Sequence, residues 1–307
     1  MSLKNKLKKE IRILASKSPL FKKIFGLLNL INLPRKMYYT FCMNFGFIPK
    51  LTEAGNKLKN VPTQPVIISL TSYGRRVNET LHFTLFSLLS QSVKPDKIVV
   101  WLGVNEWHNG NLPKTLKKLT DFGVEIKFCK DIGPFTKIIP SLREFPDSVI
   151  VTADDDLYYP KNWLKKLLDC RAENPEKICI HRAHEITFSD GKINPYVQWK
   201  HAVKQTQNPE NLFITGVGGV LYPPDSLGKN ATKEELFLKL SPKADDVWLW
   251  AMAKLQKTPM IIVKNGYSKL NYIDIIDELS GLTIENVVNN RNDEQIKAVV
   301  EHFQLKF

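Results

Sequence analysis

The sequence lacks any run of about 18 apolar residues free of charge, which is the length a transmembrane helix requires. Its richest apolar stretch, residues 20–33, is interrupted by lysines and asparagines. The N-terminus also lacks the apolar run followed by small residues that marks a cleavable signal peptide. We therefore expect neither a membrane-spanning protein nor a secreted one.

Cysteine is scarce, and its four residues form no CxxC pair or other zinc-ligand spacing: Cys42, Cys129, Cys170 and Cys179. Isolated thiols of this kind are typical of reduced, inert cysteines in a cytosolic protein. No GxxxxGK[ST] run occurs, and the glycines of residues 216–219 do not match GxGxxG. The sequence thus predicts no zinc site, no P-loop and no dinucleotide-binding turn.

Acidic residues are almost missing from the N-terminal part of the 307-residue chain. Residues 1–60 contain 13 lysines and arginines but two acids, so they carry +11 of the overall net charge of +13. The nearly neutral remainder does not suit a nucleic-acid-binding protein, and nucleic acid is not expected as a partner. We predict a basic N-terminal region and linker over residues 1–60 and one catalytic domain over residues 61–307.

Residues 1–48 combine these cations with apolar positions at helical spacing, beginning with Leu3, Leu7, Ile11 and Leu14. Aromatic and aliphatic side chains beside lysines and arginines are typical of a helix in the headgroup region of an anionic membrane. We expect residues 1–48 to attach a cytoplasmic protein peripherally to such a surface. The alternative is a basic helix whose apolar stripe packs on its own catalytic domain.

From residue 66 onward, short apolar runs alternate with helical patterns. Strands are predicted at residues 66–70, 97–102, 124–128, 149–153 and 178–181. Helices are predicted after an N-cap at Asn78 and at about 113–121, 136–145 and 161–173. This alternation predicts an α/β domain with a mainly parallel sheet and a site at the carboxyl ends of its strands.

Three consecutive carboxylates, Asp154, Asp155 and Asp156, follow the fourth predicted strand, and Pro160 precedes the next helix. Adjacent acids repel one another, so a compact site needs a cation to neutralise them. Mg²⁺ and Mn²⁺ prefer carboxylate oxygen and complete their shells with substrate phosphates. The alternative is a solvated acidic turn.

Five segments occur in an order that resembles GT-A-fold nucleotide-sugar glycosyltransferases of the family 2 kind, especially bacterial enzymes that build lipopolysaccharide or capsule. They are SLTSYGRR, QSVKPDKIVVWL, TADDDLYYP, TGVGGVLYPP and SPKADDVWLWAMA. The resemblance covers about residues 65–265 and implies a Rossmann-like GT-A domain. It further implies a metal-dependent, inverting transfer from a nucleotide sugar, for which a UDP-sugar is the family-level guess. The implied acceptor is a saccharide or lipid-linked saccharide at the inner face of the bacterial inner membrane.

The same resemblance assigns roles to the acidic residues. Asp155 and Asp156 are expected near the metal with Asp154 toward the ribose, although literal DxD spacing selects Asp154 and Asp156. Asp246 is expected to deprotonate the acceptor hydroxyl, with Asp245 as its neighbour and alternative. Both could instead cap the helix that follows them.

Further residues are expected around the donor and the acceptor. The nucleotide-sugar contacts implied are Thr71, Tyr73, Arg75, Arg76, Asp131 and Lys137. Glu106 is the alternative to Asp131, because the family's acidic turn after the second strand is missing. The acceptor contacts implied are Arg182, Gly218, Gly219 and Trp248. The alternative for these glycines is that they form a tight turn. Trp248 could instead lie in the apolar core, and Lys137 could instead lie on the surface of a helix. His181 and His184 favour polar lining of a cleft over metal ligation.

Two other functions remain open. A sugar nucleotidyltransferase would have a loop rich in Gly, Lys and Arg after the first strand, which TSYGRR matches faintly. More remotely, a basic nucleic-acid-binding protein would leave the Asp triplet without a purpose. The sequence names neither the sugar nor the acceptor, linkage or oligomeric state.

Overall fold

The computed structural model describes residues 29–51, 64–274 and 291–307. The predicted N-terminal stripe from Leu3 to Leu14 lies outside these residues. The described α-helices are, in chain order, α1 (Leu33–Phe45), α2 (Arg76–Glu79), α3 (Leu81–Leu89), α4 (Lys114–Thr120), α5 (Ile139–Glu144), α6 (Trp163–Glu173), α7 (Glu234–Leu240), α8 (Asp245–Leu255) and α9 (Arg291–Phe303). None of these helices has the length and apolar character needed to cross a membrane.

The described strands are, in chain order, β1 (Val66–Thr71), β2 (Lys97–Gly103), β3 (Val124–Cys129), β4 (Val149–Thr152), β5 (Leu157–Tyr158), β6 (Ile178–Ile180), β7 (Ala183–Glu185), β8 (Phe188–Ser189), β9 (Lys192–Ile193), β10 (Lys200–Val203), β11 (Leu212–Ile214), β12 (Val220–Tyr222), β13 (Met260–Ile262) and β14 (Asn271–Tyr272). Seven of them form the central sheet in the order β13-β6-β12-β4-β1-β2-β3. Within this sheet β12 runs antiparallel to both neighbours, and the other pairs are parallel. The prediction of an α/β, Rossmann-like fold with a mainly parallel sheet is confirmed.

The centre of the sheet follows from the composition of its strands. Val66–Thr71 and Val149–Thr152 are almost wholly buried apolar runs, as strands covered on both faces must be. Ser69 pairs with Thr152, and Leu70 pairs with Val100. These registers bring the carboxyl ends of β1, β2 and β4 to the same edge, where the loops with the predicted site residues emerge.

Two apolar clusters cover the two faces of the sheet. The first contains residues of α1, α3, α4 and α6, and the second contains residues of α5, α7, α8 and α9. Alternate side chains of β1 enter different clusters, Ile68 the first and Ile67 the second, because successive strand residues point to opposite faces. The helices therefore hold β1 and β4 rigidly beneath the loops that follow them.

Two local predictions were wrong. The helix expected after an Asn78 N-cap is α3, which begins at Leu81 after Thr80, and Asn78 lies inside the separate short helix α2. The helix expected over 136–145 is a 3₁₀ turn, Gly133–Lys137, followed by the separate helix α5. Pro140 lies in the first turn of α5, where its missing amide hydrogen costs nothing, and it separates the two pieces.

Candidate active site

Segments far apart in the sequence meet at the carboxyl ends of β1 and β4. They are residues 72–76, Lys137, residues 154–156, Gly216 and residues 245–246. The sheet thus brings the two predicted acidic centres, the Asp triplet and the Asp245–Asp246 pair, into one cluster. A lysine links them directly.

Asp155 and Asp156 are buried, at 4% and 5% exposure, and share one cation. Arg76 Nη1 donates to Asp155 Oδ1 at 3.0 Å and lies 3.1 Å from Asp156 Oδ2. Ser72 donates to the second oxygen of Asp155. Burial raises the pKa of the Asp155 carboxyl above its ordinary value, although Arg76 and the Ser72 hydrogen bond oppose the shift. Both oxygens of Asp155 are therefore engaged within the protein.

Lys137 is the cation between the two acidic centres. Its Nζ lies 2.8 Å from Asp245 Oδ2 and 3.4 Å from Asp154 Oδ1. Burial alone would lower the pKa of Lys137, but the charges of Asp245, Asp154 and Asp246 outweigh it and raise the pKa well above its ordinary value. Lys137 therefore stays protonated, and it is not the helix-surface lysine that the sequence allowed.

A buried polar network under the sheet edge holds the backbone of Lys137. Ser69 Oγ donates to the Lys137 carbonyl at 2.6 Å, and the Ser69 and Ser141 hydroxyls lie 2.7 Å apart. Trp101 Nε1 donates to Ser141 Oγ at 2.7 Å. Sequence reasoning missed these residues; the one available signal was a serine inside the otherwise apolar centre of β1.

Asp246 lies at the start of α8 and accepts the Gly216 amide hydrogen at 2.8 Å. Burial raises the pKa of Asp246 to about 7, and repulsion from Asp245 adds to the shift, while Lys137 and the Gly216 amide oppose it. A Cβ built on Gly216 would lie 2.9 Å from both Lys137 Nζ and Asp246 Oδ1. A side chain at position 216 would therefore force these charged groups to move apart.

Among the described residues, the cluster has more carboxylates than cations. The acids are Asp154, Asp155, Asp156, Asp245 and Asp246, and the cations placed among them are Arg76 and Lys137. Excess carboxylate oxygen fits a hard divalent cation chemically. However, no group of three His, Cys, Asp or Glu side chains within the described ranges is spaced to hold a metal alone. The residues therefore fit a cation that takes one or two carboxylates and shares substrate phosphates.

No protein-family model matches the chain, and no curated protein matches its sequence. Solved structures do show similarity. A structure of CMP:2-keto-3-deoxy-manno-octonic acid synthetase complexed with CTP has a TM-score of 0.44 and 9% identity, covering 75% of this chain and 100% of its own. Inositol-1-phosphate CTP transferase from T. maritima has a TM-score of 0.40 and 14% identity, covering 78% and 98%. These likenesses concern the fold alone.

Several residues predicted to contact the nucleotide surround the loop after β1. Thr71 Oγ1 donates to the Trp101 carbonyl at 2.8 Å, and Tyr73 is 56% exposed with the Arg76 guanidinium 5.6 Å from its ring centre. Arg75 pairs with Glu79 at 2.7 Å. All of them lie at the sheet edge that carries the carboxylate cluster, and their contact with a nucleotide stays a prediction.

Asp131 and Glu106, the two acids considered as contacts to the nucleotide, each form hydrogen bonds that hold a loop. Asp131 accepts the Gly133 amide hydrogen at 2.8 Å and begins the turn that leads to Lys137. Glu106 accepts the Gly74 amide hydrogen with both carboxylate oxygens, at 3.0 and 3.1 Å. Glu106 thereby ties the loop after β2 to the loop after β1.

The structure corrects the acceptor role expected for Trp248. Its ring is fully buried between Phe237 and Phe303, and its Nε1 donates to the Ala231 carbonyl at 2.9 Å. Trp250 is fully buried as well. Neither ring lines a cleft, because both lie in the apolar core beneath α8.

The other expected acceptor contacts belong to a tight turn. Gly218 and Gly219 have φ angles of +106° and +96°, and a Cβ on Gly219 would lie 2.4 Å from the Trp163 ring. Trp163 Nε1 donates to the Gly218 carbonyl at 2.6 Å. These observations support the turn, which was the alternative interpretation, and contact of the two glycines with an acceptor stays a prediction. Arg182 joins this region through its carbonyl, which accepts the Thr215 hydroxyl at 2.6 Å.

His181 and His184 are both 1% exposed and neither lines a cleft, which corrects the expectation of polar lining. His181 Nε2 lies 3.1 Å from the Trp163 carbonyl, and its Nδ1 accepts the Tyr267 amide hydrogen at 3.2 Å. Burial lowers the pKa of His181 to about 4 and that of His184 to about 2. Both are neutral core histidines at physiological pH.

Proposed function

We propose that the protein is a glycosyltransferase of the GT-A type that moves a sugar from a nucleotide-sugar donor to an acceptor hydroxyl, with Asp246 as the general base. The observation that carries this proposal is the Asp246 carboxyl, whose pKa is raised to about 7. A base is most effective when its pKa lies near the working pH. A sugar hydroxyl must lose a proton on attack, so this reaction needs such a base.

The proposed reaction is a single displacement. The acceptor oxygen bonds to the anomeric carbon of the donor, its proton passes to Asp246, and the bond from that carbon to the nucleoside diphosphate breaks. Lys137 remains cationic beside Asp246 throughout, since Asp245 and Asp154 also hold its charge. It favours the carboxylate form that can accept the proton.

A divalent cation, Mn²⁺ or Mg²⁺, would supply charge neutralisation for the departing diphosphate when bound. We assign its protein ligands to Asp154 and Asp156, the literal DxD pair, rather than to Asp155 and Asp156. Ser72 and Arg76 engage both oxygens of Asp155, whereas the Asp154 side chain is 22% exposed. Asp156, whose Oδ2 lies 3.1 Å from Arg76, enters this assignment through the DxD spacing. Asp155 then acts by positioning Arg76.

The acceptor that we propose is a saccharide, free or lipid-linked, in bacterial lipopolysaccharide or capsule synthesis, and the donor nucleotide that we propose is UDP. This part of the proposal rests on the order of the five resembling segments. The net charge of +11 over residues 1–60 adds support for work at the inner face of the inner membrane.

The test is a screen of nucleotide sugars for slow donor hydrolysis in Mn²⁺, which requires no knowledge of the acceptor. We expect release of nucleoside diphosphate from one donor class. With an acceptor present, Asp246→Asn should lower transfer by about 100-fold while donor binding persists. The control is Asp169→Asn, a half-exposed carboxylate on α6. A chain that neither binds nor hydrolyses any nucleotide sugar would refute the proposal.

A sugar nucleotidyltransferase is the second candidate, and both similar structures named above are CTP-using enzymes of this broad class. Such an enzyme must neutralise a triphosphate, yet the arginines after β1 are engaged by acids. Arg76 pairs with Asp155 and Asp156, and Arg75 pairs with Glu79. Pyrophosphate release from CTP or another nucleoside triphosphate with a sugar substrate would decide for this candidate.

A further inference from the structure

The outer face of α1 is unusually apolar for a protein surface. Seven of the twelve exposed large hydrophobic residues in the described ranges lie between residues 31 and 47: Ile31, Leu33, Met37, Tyr38, Phe41, Phe45 and Phe47. The Phe41 ring lies 4.6 Å from Phe45 and 6.1 Å from Phe47, so these three rings form one patch at the end of the helix. We call these seven residues the α1 stripe. A contiguous exposed patch of this kind marks an interaction surface.

The opposite face of α1 is docked on the domain. Cys42 and Met43 are buried in the first apolar cluster, and the Tyr39 ring lies 4.3 Å from that of Phe86. Asn32 Nδ2, just before the helix, donates to the Tyr272 carbonyl at 2.8 Å. The orientation of α1 is therefore fixed, and the stripe faces away from the core.

A cavity of about 290 Å³ lies beside the inner edge of α1, between that helix, residues 158–161 and residues 269–271. Its basic lining side chains are Arg35, Lys161 and Lys269, and no acidic side chain of residues 29–51, 64–274 or 291–307 lines it. None of these three cations forms an ion pair in the described part of the chain. The cavity is thus a concentration of uncompensated positive charge.

Tyr158 forms part of the wall of this cavity. It is 3% exposed, and its hydroxyl is buried without a hydrogen-bond partner among the described residues. The Arg35 guanidinium lies 4.8 Å from the centre of the Tyr158 ring, so the ring helps to hold Arg35 at the cavity. A ligand in the cavity therefore meets the basic side chains and not the buried hydroxyl.

We propose that this cavity binds the phosphate of an anionic phospholipid while the α1 stripe lies in the headgroup region of the same membrane. Three cations match phosphate oxygens, and the adjacent apolar stripe matches the start of the acyl chains. The net charge of +11 over residues 1–60 adds attraction to an anionic surface. A phosphate free in solution would leave the stripe unexplained. The inference does not rest on the proposed function, because membrane binding is measured without turnover.

The test is cosedimentation of the full chain with vesicles of phosphatidylglycerol in phosphatidylcholine and of phosphatidylcholine alone. We expect binding to the first and little to the second. The double variants Phe41→Ser/Phe45→Ser and Arg35→Gln/Lys269→Gln should each weaken binding about tenfold. The controls on and beside α7 are Leu238→Ser, which changes an exposed apolar residue, and Lys233→Gln/Lys239→Gln, which removes two exposed positive charges; both should bind as the unaltered chain does.

Tyr158→Phe is a control for the cavity wall, because it changes no charge and removes a hydroxyl that is buried. We expect unchanged binding to phosphatidylglycerol vesicles and no loss of folding stability, since the hydroxyl has no partner to lose in the described structure. Unchanged binding by Arg35→Gln/Lys269→Gln would overturn the cavity assignment. Equal binding to both vesicle types, self-association through the stripe, or equal affinity for soluble glycerol phosphate would overturn the lipid as ligand.

Discussion

Lys137 Nζ lies 2.8 Å from Asp245 Oδ2, and this ion pair joins the turn after β3 to the first residue of α8. The same ammonium group lies 3.4 Å from Asp154 Oδ1, in the loop after β4. One buried lysine thus couples the acidic segment assigned to the donor with the one assigned to the acceptor. Its charge lowers the pKa of Asp246 beside it, against burial and the charge of Asp245, which raise that pKa.

Lys137→Met should damage both activity and stability. Lys137 lowers the pKa of Asp246, so its removal should raise that pKa further above 7. The rise of the transfer rate with pH should then occur at a higher pH. Leaving Asp245 and Asp154 unpaired should cost about 3 kcal/mol of unfolding free energy. Urea unfolding and a pH–rate profile measure the two effects. Lys239→Met, at an exposed site on α7, is the control; an unshifted profile in Lys137→Met would contradict the coupling.

Transfer by the unaltered chain should depend on the ionisation of Asp246. The base must be deprotonated, so the rate should rise about tenfold per pH unit below a pH of about 7 and level off above it. Asp246→Asn should remove this step together with most of the activity. The initial rate measured from pH 5 to 9 tests this. A profile that is flat through pH 7, or one abolished only by Asp245→Asn, would move the base elsewhere.

Asp154→Asn and Asp155→Asn should have different consequences. Asp154→Asn should raise the Mn²⁺ concentration needed for half-maximal donor hydrolysis by about tenfold, because it removes a proposed ligand. Asp155→Asn should leave that concentration nearly unchanged but lower stability, since Arg76 and Ser72 lose their carboxylate partner. A Mn²⁺ titration and thermal unfolding of both variants separate the roles. The reverse pattern would restore Asp155 as the metal ligand.

Gly216→Ala should clearly lower kcat and should change Tm little. The new methyl group would lie 2.9 Å from Lys137 Nζ and Asp246 Oδ1, and these groups would have to separate. Gly110→Ala is a matched control, because its Cβ would also meet an atom at 2.9 Å, but that atom belongs to the exposed ring of His108. Comparison of kcat and Tm for the two variants tests this. Equal kcat would show that the contact at Gly216 does not matter for the reaction.

Trp101→Phe should destabilise the protein by about 1 kcal/mol beyond the effect of the smaller ring. It removes the indole donor to Ser141, which in turn lies in the network that holds the Lys137 carbonyl. Trp107→Phe is the control, since Trp107 is also buried but its Nε1 has no partner in the described structure. Urea unfolding of both variants measures the difference. Equal destabilisation would mean that the hydrogen bond contributes nothing net.

Local patterns in the sequence were enough to determine the frame of the site. Buried apolar runs such as Val66–Thr71 and Val149–Thr152 mark central strands wherever they occur, and parallel strands place their carboxyl ends at one edge. The Asp triplet was therefore expected at that edge. The helix boundary near Asn78 and the break before α5 were missed, because helix ends depend on contacts beyond the local pattern.

Only the tertiary structure decided how the charges of the site are shared. Arg76 pairs with Asp155 and Asp156, Lys137 with Asp245 and Asp154, and Gly216 approaches Asp246. The burial of Trp248 beside the proposed base was decided in the same way. Each of these relationships joins residues on different helices, strands or loops. The partners and the solvation of a side chain depend on how those elements pack against one another. The spacing of residues along the chain gives no information about that packing.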